Sequence, residues 1–393
     1  METPKGFRAA GIASGIKKNG KMDLGLVICD KPATAAGVFT KNRVKAACVL
    51  LDQKRLAASG TCQAIIVNSG NANCCTGESG MADAVEMGKA VSAALGIDEG
   101  QVLVASTGVI GQRMPIAKVR KAVPGLVEKR AENGFSDFAE SIMTTDTMPK
   151  IVTRKGDIDG VAYTVTGIAK GAGMIRPDMA TMLCFVCTDI GMGPEDLQAV
   201  VADANEKSFN RITIDGDTST NDTLLVLASG MSGAHLTTAA HREAFGKVME
   251  EVLVTLAKRI VKDGEGATKL VEISVVNAPS DGDAKRIADT VANSNLVKTA
   301  FFGEDANWGR IVAAMGRAGV DFAYDQVDIF FNEVRLVENG LYAGPDAEKA
   351  ASEVLKLPEF TVALDMKAGP GRAVAWTCDF SIDYIRINAD YRS

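Results

Sequence analysis

Lys170-Gly171-Ala172-Gly173-Met174-Ile175-Arg176-Pro177-Asp178-Met179-Ala180-Thr181 runs straight into Met182-Leu183-Cys184-Phe185-Val186-Cys187, and the join between these two runs sets the architecture. The first run is rich in glycine, interrupted by proline, and carries a lysine. Gly171 and Gly173 permit backbone angles closed to other residues, and Pro177 fixes φ nearby. The second run is short and unbroken in its apolar character, as a buried strand is. Thr181 therefore presents a hydroxyl where a loop meets a sheet, with the strand starting at Thr181 itself. That position suits a nucleophile whose own peptide bond can be cut, although threonine at a strand start is also ordinary, because β-branched residues favour sheets.

Outward from this join, short apolar runs alternate with helical spacing. Leu24 to Cys29, Gln63 to Val67, Val102 to Ala105 and Tyr163 to Ile168 read as strands. Met81, Ala84, Val85, Gly88, Val91 and Leu95 recur on one helical face, with Gly96 as the C-cap. Short helices are predicted around 115–123 and 135–142. Beyond Thr188 the pattern predicts a helix from Pro194 to Lys207, a strand from Thr223 to Ala228 and a long helix from Thr237 to Lys262. It continues with a strand from Lys269 to Val276, helices over 283–299 and 307–317, strands over Gln326–Leu336, Phe360–Met366 and Ala373–Phe380, and a helix near 346–356. The fold class is α/β, without a strict βαβ repeat, and no low-complexity linker divides it.

The chain has 393 residues and 47% apolar content, enough for a sizeable core. A net charge of −6 leaves no basic footprint for nucleic acid, and no run reaches the length of a membrane span. The amino terminus lacks a secretory pattern, and eight cysteines are too sparse for a disulfide framework, which together point to a reducing cytoplasm. Small soluble molecules are the expected partners.

Several motifs bear on chemistry. His235 and His241 are the only histidines, both expected to face solvent at the start of the long helix, so a Ser-His-Asp triad is poorly provided for. Thr107-Gly108 ends a predicted strand and can offer a hydroxyl and a backbone N–H to an oxyanion; from these residues alone an ordinary strand-to-turn exit is the favoured explanation. Thr144-Thr145-Asp146-Thr147-Met148-Pro149-Lys150 reads as a capping turn. Asp263-Gly264-Glu265-Gly266-Ala267-Thr268-Lys269 fails as a phosphate loop, because Lys269 opens a strand and not a helix. Cys184 and Cys187 point to opposite faces of one strand and cannot share a metal there. The acidic cluster Asp215 to Asp222 lacks the ligand spacing of a calcium loop, so no metal is expected.

The stretch 170–183 resembles the self-cleavage segment of the ornithine acetyltransferase family, also called the bifunctional glutamate N-acetyltransferase family. Val67-Asn68-Ser69-Gly70-Asn71-Ala72-Asn73, Ser106-Thr107-Gly108-Val109-Ile110-Gly111, Asp215 to Asp222, Gly303 to Arg310 and the tail Arg386 to Ser393 extend that resemblance over most of the chain. It implies a layered α/β sandwich of the N-terminal-nucleophile kind. It also implies cleavage between Ala180 and Thr181 into pieces 1–180 and 181–393, assembled as two copies of each. The cut then falls in a connecting loop between two buried strands, so the pieces stay folded together.

The same resemblance implies acetyl transfer from N2-acetyl-L-ornithine to L-glutamate through an acetyl-threonine on Thr181, in arginine biosynthesis. Thr107 and Gly108 would form the oxyanion hole, and Thr147, Lys170, Thr181, Glu265, Asn388 and Ser393 would bind substrate. Lys170, placed on the loop, suits a substrate carboxylate, and Glu265 suits the ammonium groups of ornithine. The free α-amine of a cleaved Thr181 titrates near ~7.7–8.0 and can serve as the base. No cofactor is implied; acetyl-CoA as a second donor stays open, as do the roles of Arg176 and Asp178. Two other readings remain: an amidohydrolase or aminopeptidase with the same nucleophile, and a non-catalytic amino-acid-binding module.

Overall fold

Alternation along the strands fixes the layering, seen in a computed structural model that describes residues 2–176 and 182–390. Two compact units divide the chain: Met1–Asn210 with Asp217–Ile260, and Arg211–Gly216 with Val261–Ser393. The first unit holds β1 (Phe7–Ile12), β2 (Leu24–Phe39), α1 (Ala47–Ser59), β3 (Thr61–Asn71), α2 (Gly77–Leu95), β4 (Val102–Val109), α3 (Ile116–Glu128) and α4 (Phe135–Ile142). It continues with β5 (Lys150–Ile158), β6 (Val161–Lys170), β7 (Leu183–Thr188), α5 (Pro194–Glu206), β8 (Thr223–Ala228) and α6 (Ala239–Lys262), whose last two residues belong to the second unit.

Its eight strands form one sheet in the order β4-β3-β2-β8-β7-β6-β5, with β1 paired to β2. Ala64, Ile66, Val102 and Val104 face a core shared with α1, α2 and α3, whereas Ile65, Val67, Leu103 and Ala105 face a second core with Phe135 and Phe138 of α4. Successive strand residues point to opposite faces, so these runs serve two helical layers at once. In β7, Leu183, Phe185 and Cys187 join the α4 side, and Phe185 meets Phe138 edge-on at 5.4 Å. Each such buried aromatic side chain contributes about 1.5–3 kcal/mol. Helix α2 stops at Gly96, whose φ of 69° lets its N–H cap the Ser92 carbonyl.

The second unit holds β9 (Leu270–Ala278), α7 (Asp281–Ala292), α8 (Asn295–Phe302), α9 (Trp308–Gly316), β10 (Asp328–Phe331), β11 (Val334–Glu338), β12 (Leu341–Tyr342), α10 (Pro345–Leu355), β13 (Glu359–Asp365), β14 (Gly371–Cys378) and α11 (Ile382–Ala389). Its six-stranded sheet runs β12-β11-β10-β13-β9-β14. Ile273, Val275, Val362 and Leu364 pack there against Ile287 and Val291 of α7.

Several expectations are corrected. The described strand after the loop starts at Leu183, and Thr181 lies outside the described residues. The helix predicted over 283–299 is two helices, α7 ending at Ala292 and α8 starting at Asn295, with Asn293 and Ser294 between them. The strand predicted over Gln326–Leu336 is the hairpin β10–β11, turned at Asn332 with φ 49°. His241 is half-buried and not solvent-facing: its Nε2 lies 3.2 Å from Asp159 Oδ2 and its Nδ1 3.1 Å from Thr237 Oγ1. His235 is exposed, as expected.

Candidate active site

The carboxyl ends of β3 and β4 lie side by side in parallel, with Ser69 opposite Thr107 and Gly70 opposite Gly108, and a bulge follows at Asn71. Gly108 has φ 132°, and a Cβ there would sit 2.3 Å from the Gly70 carbonyl carbon, so no side chain fits. Thr107 and Gly108 thus lie within the strand and not at a turn beyond it. The polar turn residues around them hold the strand ends in place. Asn221 Nδ2 donates to the carbonyls of Ala72 and Ser106 at 2.7 and 2.8 Å, and Asn71 Nδ2 donates to those of Gln112 and Arg113.

Lys170 is the last residue of β6 and is 4% exposed, a buried strand residue and not a loop lysine. Its Nζ donates to Thr144 Oγ1 at 2.8 Å and reaches Thr107 Oγ1 at 3.4 Å. Asp146 stands behind it: Oδ1 accepts from Lys150 Nζ and from the Gly171 N–H, both at 2.7 Å, and Oδ2 accepts from the Thr144 N–H at 3.0 Å. Burial alone would raise the Asp146 carboxyl, but the ammonium groups of Lys170 and Lys150 outweigh it and hold the group below the usual carboxylate range. The segment 144–150 is therefore a charged, hydrogen-bonded support for Lys170 as well as a turn.

The backbone that follows Thr181 is gripped from both sides. Met182 donates its N–H to Asp222 Oδ1 at 3.1 Å and accepts from the Thr223 N–H at 3.1 Å. Asp222 is fully buried, and that burial lifts its carboxyl well above the usual range against the Met182 N–H and the charge of Lys170. Its Oδ2 has no hydrogen-bond partner among the described residues.

Beside this cluster opens a cavity of about 460 Å³, lined by Lys17, Lys21, Glu140, Thr144, Asp146 and Thr147 among others. Thr147 is exposed on its wall. Lys17 Nζ donates to the carbonyls of Met22 and Met143 at 2.8 and 2.7 Å.

In the second unit, Glu265 and Asn388 meet. Asn388 Nδ2, on the exposed helix α11, donates to Glu265 Oε2 at 2.8 Å and to the Tyr384 carbonyl at 3.1 Å. Gly266 makes that approach possible, because a Cβ there would lie 2.5 Å from the Tyr384 N. The residues from Arg386 to Ala389 are helical and not a frayed tail.

Ala180, Thr181 and Ser393 lie outside the described residues. Thr107, Gly108, Thr147 and Lys170 belong to the first unit, and Glu265 and Asn388 to the second. Asp222, Asp146 as a charge partner, Thr144 and Lys17 were not singled out from sequence. Asn221-Asp222 just ahead of the apolar run Leu224 to Ala228 is a signal for the first of these. The run Ile16-Lys17-Lys18-Asn19-Gly20-Lys21 looks like any solvated loop and gives none for Lys17.

Strand ends that present a threonine hydroxyl, a buried lysine and a clamped residue 182 define a layered α/β protein with these groups gathered at the ends of β4 and β6 and the start of β7. The sequence model of the ArgJ family matches residues 8–393, and the chain belongs to that family. The arginine biosynthesis bifunctional protein ArgJ of Geobacter sulfurreducens is 53% identical over 391 residues, 99% of each chain. That of Syntrophotalea carbinolica is 50% identical over 395 residues, 100% of each. A solved structure of ornithine acetyltransferase complexed with ornithine, from Mycobacterium tuberculosis, is 41% identical, covers 44% of this chain and 92% of that one, and has a TM-score of 0.40.

Proposed function

We propose that this protein is a glutamate N-acetyltransferase that moves the acetyl group of N2-acetyl-L-ornithine to L-glutamate, once the peptide bond between Ala180 and Thr181 has been broken. The observation that carries the reading is the relation to curated arginine biosynthesis bifunctional proteins over 99% of both chains. The grip on Met182 and the contact of Lys170 with Thr107 supply supporting geometry.

In the first step the Thr181 hydroxyl attacks the Ala180 carbonyl, the C–N bond breaks with a proton passing to nitrogen, and water opens the resulting ester. The hydroxyl is regenerated, with a free α-amine beside it. The hydroxyl then attacks the acetyl carbon of acetylornithine, the α-amine takes its proton and delivers it to the departing nitrogen, and ornithine leaves an acetyl ester on Thr181. Thr107 and the Gly108 N–H would hold the oxyanion, with the charge of Lys170 strengthening the hydroxyl donor. The amine of glutamate reverses the sequence and leaves with the acetyl group. Glu265, Asn388 and Ser393 complete the proposed substrate ligands, and Thr147 offers a polar contact.

No atom changes oxidation state in either half, so the scheme calls for no cofactor; acetyl-CoA would enter as an alternative donor to the same hydroxyl. The working species in this reading holds two copies of each piece. Among the described residues no helix is long and apolar enough to cross a membrane.

The test is a denaturing gel followed by mass spectrometry of the smaller products. Wild type runs as two bands, and incubation with acetylornithine alone adds one acetyl group to the piece that begins at Thr181. Thr181→Ala runs as one full-length chain and loses at least about 10⁴-fold in rate. A single wild-type band with full transfer activity overturns the reading, and acetyl release to water at the same rate with or without glutamate favours the hydrolase.

A further inference from the structure

The geometry assigns to Lys17 a role in substrate binding: its ammonium group meets the α-carboxylate that the acetyl donor and the acetyl acceptor have in common. This rests on the acetyltransferase reading above and deepens it.

Lys17 lies in the loop between β1 and β2, which Asp23 clasps. Asp23 Oδ1 accepts from the Ser14 N–H and hydroxyl, and Oδ2 from the Lys17 N–H. The stem of its side chain passes Gly70 at the end of β3. A Cβ at Gly70 would lie 3.2 Å from Lys17 Cγ, and Gly70 is the residue against which Gly108 closes. From the other side, Thr144 lines the same cavity and accepts from Lys170, which reaches Thr107. The close approach of its stem to Gly70 and the cavity wall it shares with Thr144 thus both place Lys17 near the strand end.

An ammonium group has three N–H donors, and Lys17 uses two on the Met22 and Met143 carbonyls. Among the described residues no carboxylate bonds to its Nζ. Asp23 is occupied by Ser14 and by the backbone, and Asp146 is engaged by Lys150, Gly171 and Thr144. Lys21 adds a second positive charge to the wall, and Glu140 is the other acid there. Burial brings the Lys17 amine down to about 8, opposed by Asp23 and assisted by Lys170 and Lys21. An incoming carboxylate would satisfy the third donor and draw the proton back on. A group on both substrates is the economical match, because one cavity must serve both half-reactions.

A simpler role also exists, since Met143 ends α4 and a lysine on its carbonyl is a helix cap. The experiment separates the two by measuring KM and kcat for acetylornithine and for glutamate in wild type, Lys17→Met and Lys17→Arg, from pH 6.5 to 9.5, with melting temperatures alongside. Lys17→Met is expected to raise KM for both substrates by about tenfold or more, with kcat within about threefold. Above pH about 8 the wild-type KM for both should rise relative to that of Lys17→Arg, which keeps its charge, the Thr181 α-amine and the acceptor amine titrating alike in the two proteins. A lower melting temperature with both KM values unchanged, a change for glutamate alone, or a pH rise identical in Lys17→Arg each overturns the assignment. If Lys17→Met fails to fold, the arginine variant decides alone. Absence of acetyl transfer in wild type would sink the underlying reading instead.

Discussion

Lys170 in the first unit and Glu265 in the second both carry a charge away from water, yet they are held very differently. Lys170 touches two hydroxyls and faces a carboxylate that is itself fixed by an ion pair and two backbone N–H groups. Glu265 meets the amide of Asn388, which stands on a helix with no buried residue. The difference teaches where rigidity is concentrated. Groups that stabilise charge during a reaction act best when already aligned, because reorganising them would raise the barrier. Groups that merely meet a ligand tolerate adjustment.

Three substitutions can break or sharpen this contrast. Asp146→Asn should do the most damage, since it keeps the shape but removes the charge between Lys150 and Lys170; breaking such a buried pair costs about 3–5 kcal/mol, read as denaturant midpoint. Its pH signature has a definite sign. The folded carboxyl is depressed, so its contribution is complete above the unfolded value of ~3.9 and drains away as pH falls below it. Wild type should therefore lose stability below pH about 4 more steeply than Asp146→Asn. If both fall in parallel, the network is not what locks Lys170.

Thr107→Ala should leave the fold within about 1 kcal/mol and slow acetyl transfer by about 10²- to 10³-fold, carried by kcat. A change in KM alone would mean that the hydroxyl meets the ground state. Asn388→Ala should be mildest: a rise of about two- to fivefold in KM for acetylornithine, and under about 1 kcal/mol in stability, because one partly exposed hydrogen bond is lost. An effect on kcat as large as that of Thr107→Ala would erase the distinction between the two regions.

Periodicity made much of this architecture legible. Thr223 to Ala228 was delimited to the residue, and α2 with its glycine cap follows from apolar spacing alone. The misses share a cause. Helix α1 follows Ala46 with no side-chain cap, and α11 buries no residue, so neither announces itself by a start signal or a clear apolar stripe. Within the site, Thr107 and Lys170 were visible through their motifs, but their hydrogen bond spans 63 positions and depends on where β4 and β6 end. Lys17 gains its meaning only from burial and neighbours, which no local pattern encodes.

The strand order described for the first unit has a final consequence. β7 and β8, which follow residue 180, stand between β2 and β6, which precede it. Were the bond after Ala180 opened, β7 and β8 of the later fragment would stay wedged between strands of the earlier one, joined along the β2–β8 and β6–β7 seams. Because both pieces would come from a single chain, their proportion would be one to one from birth.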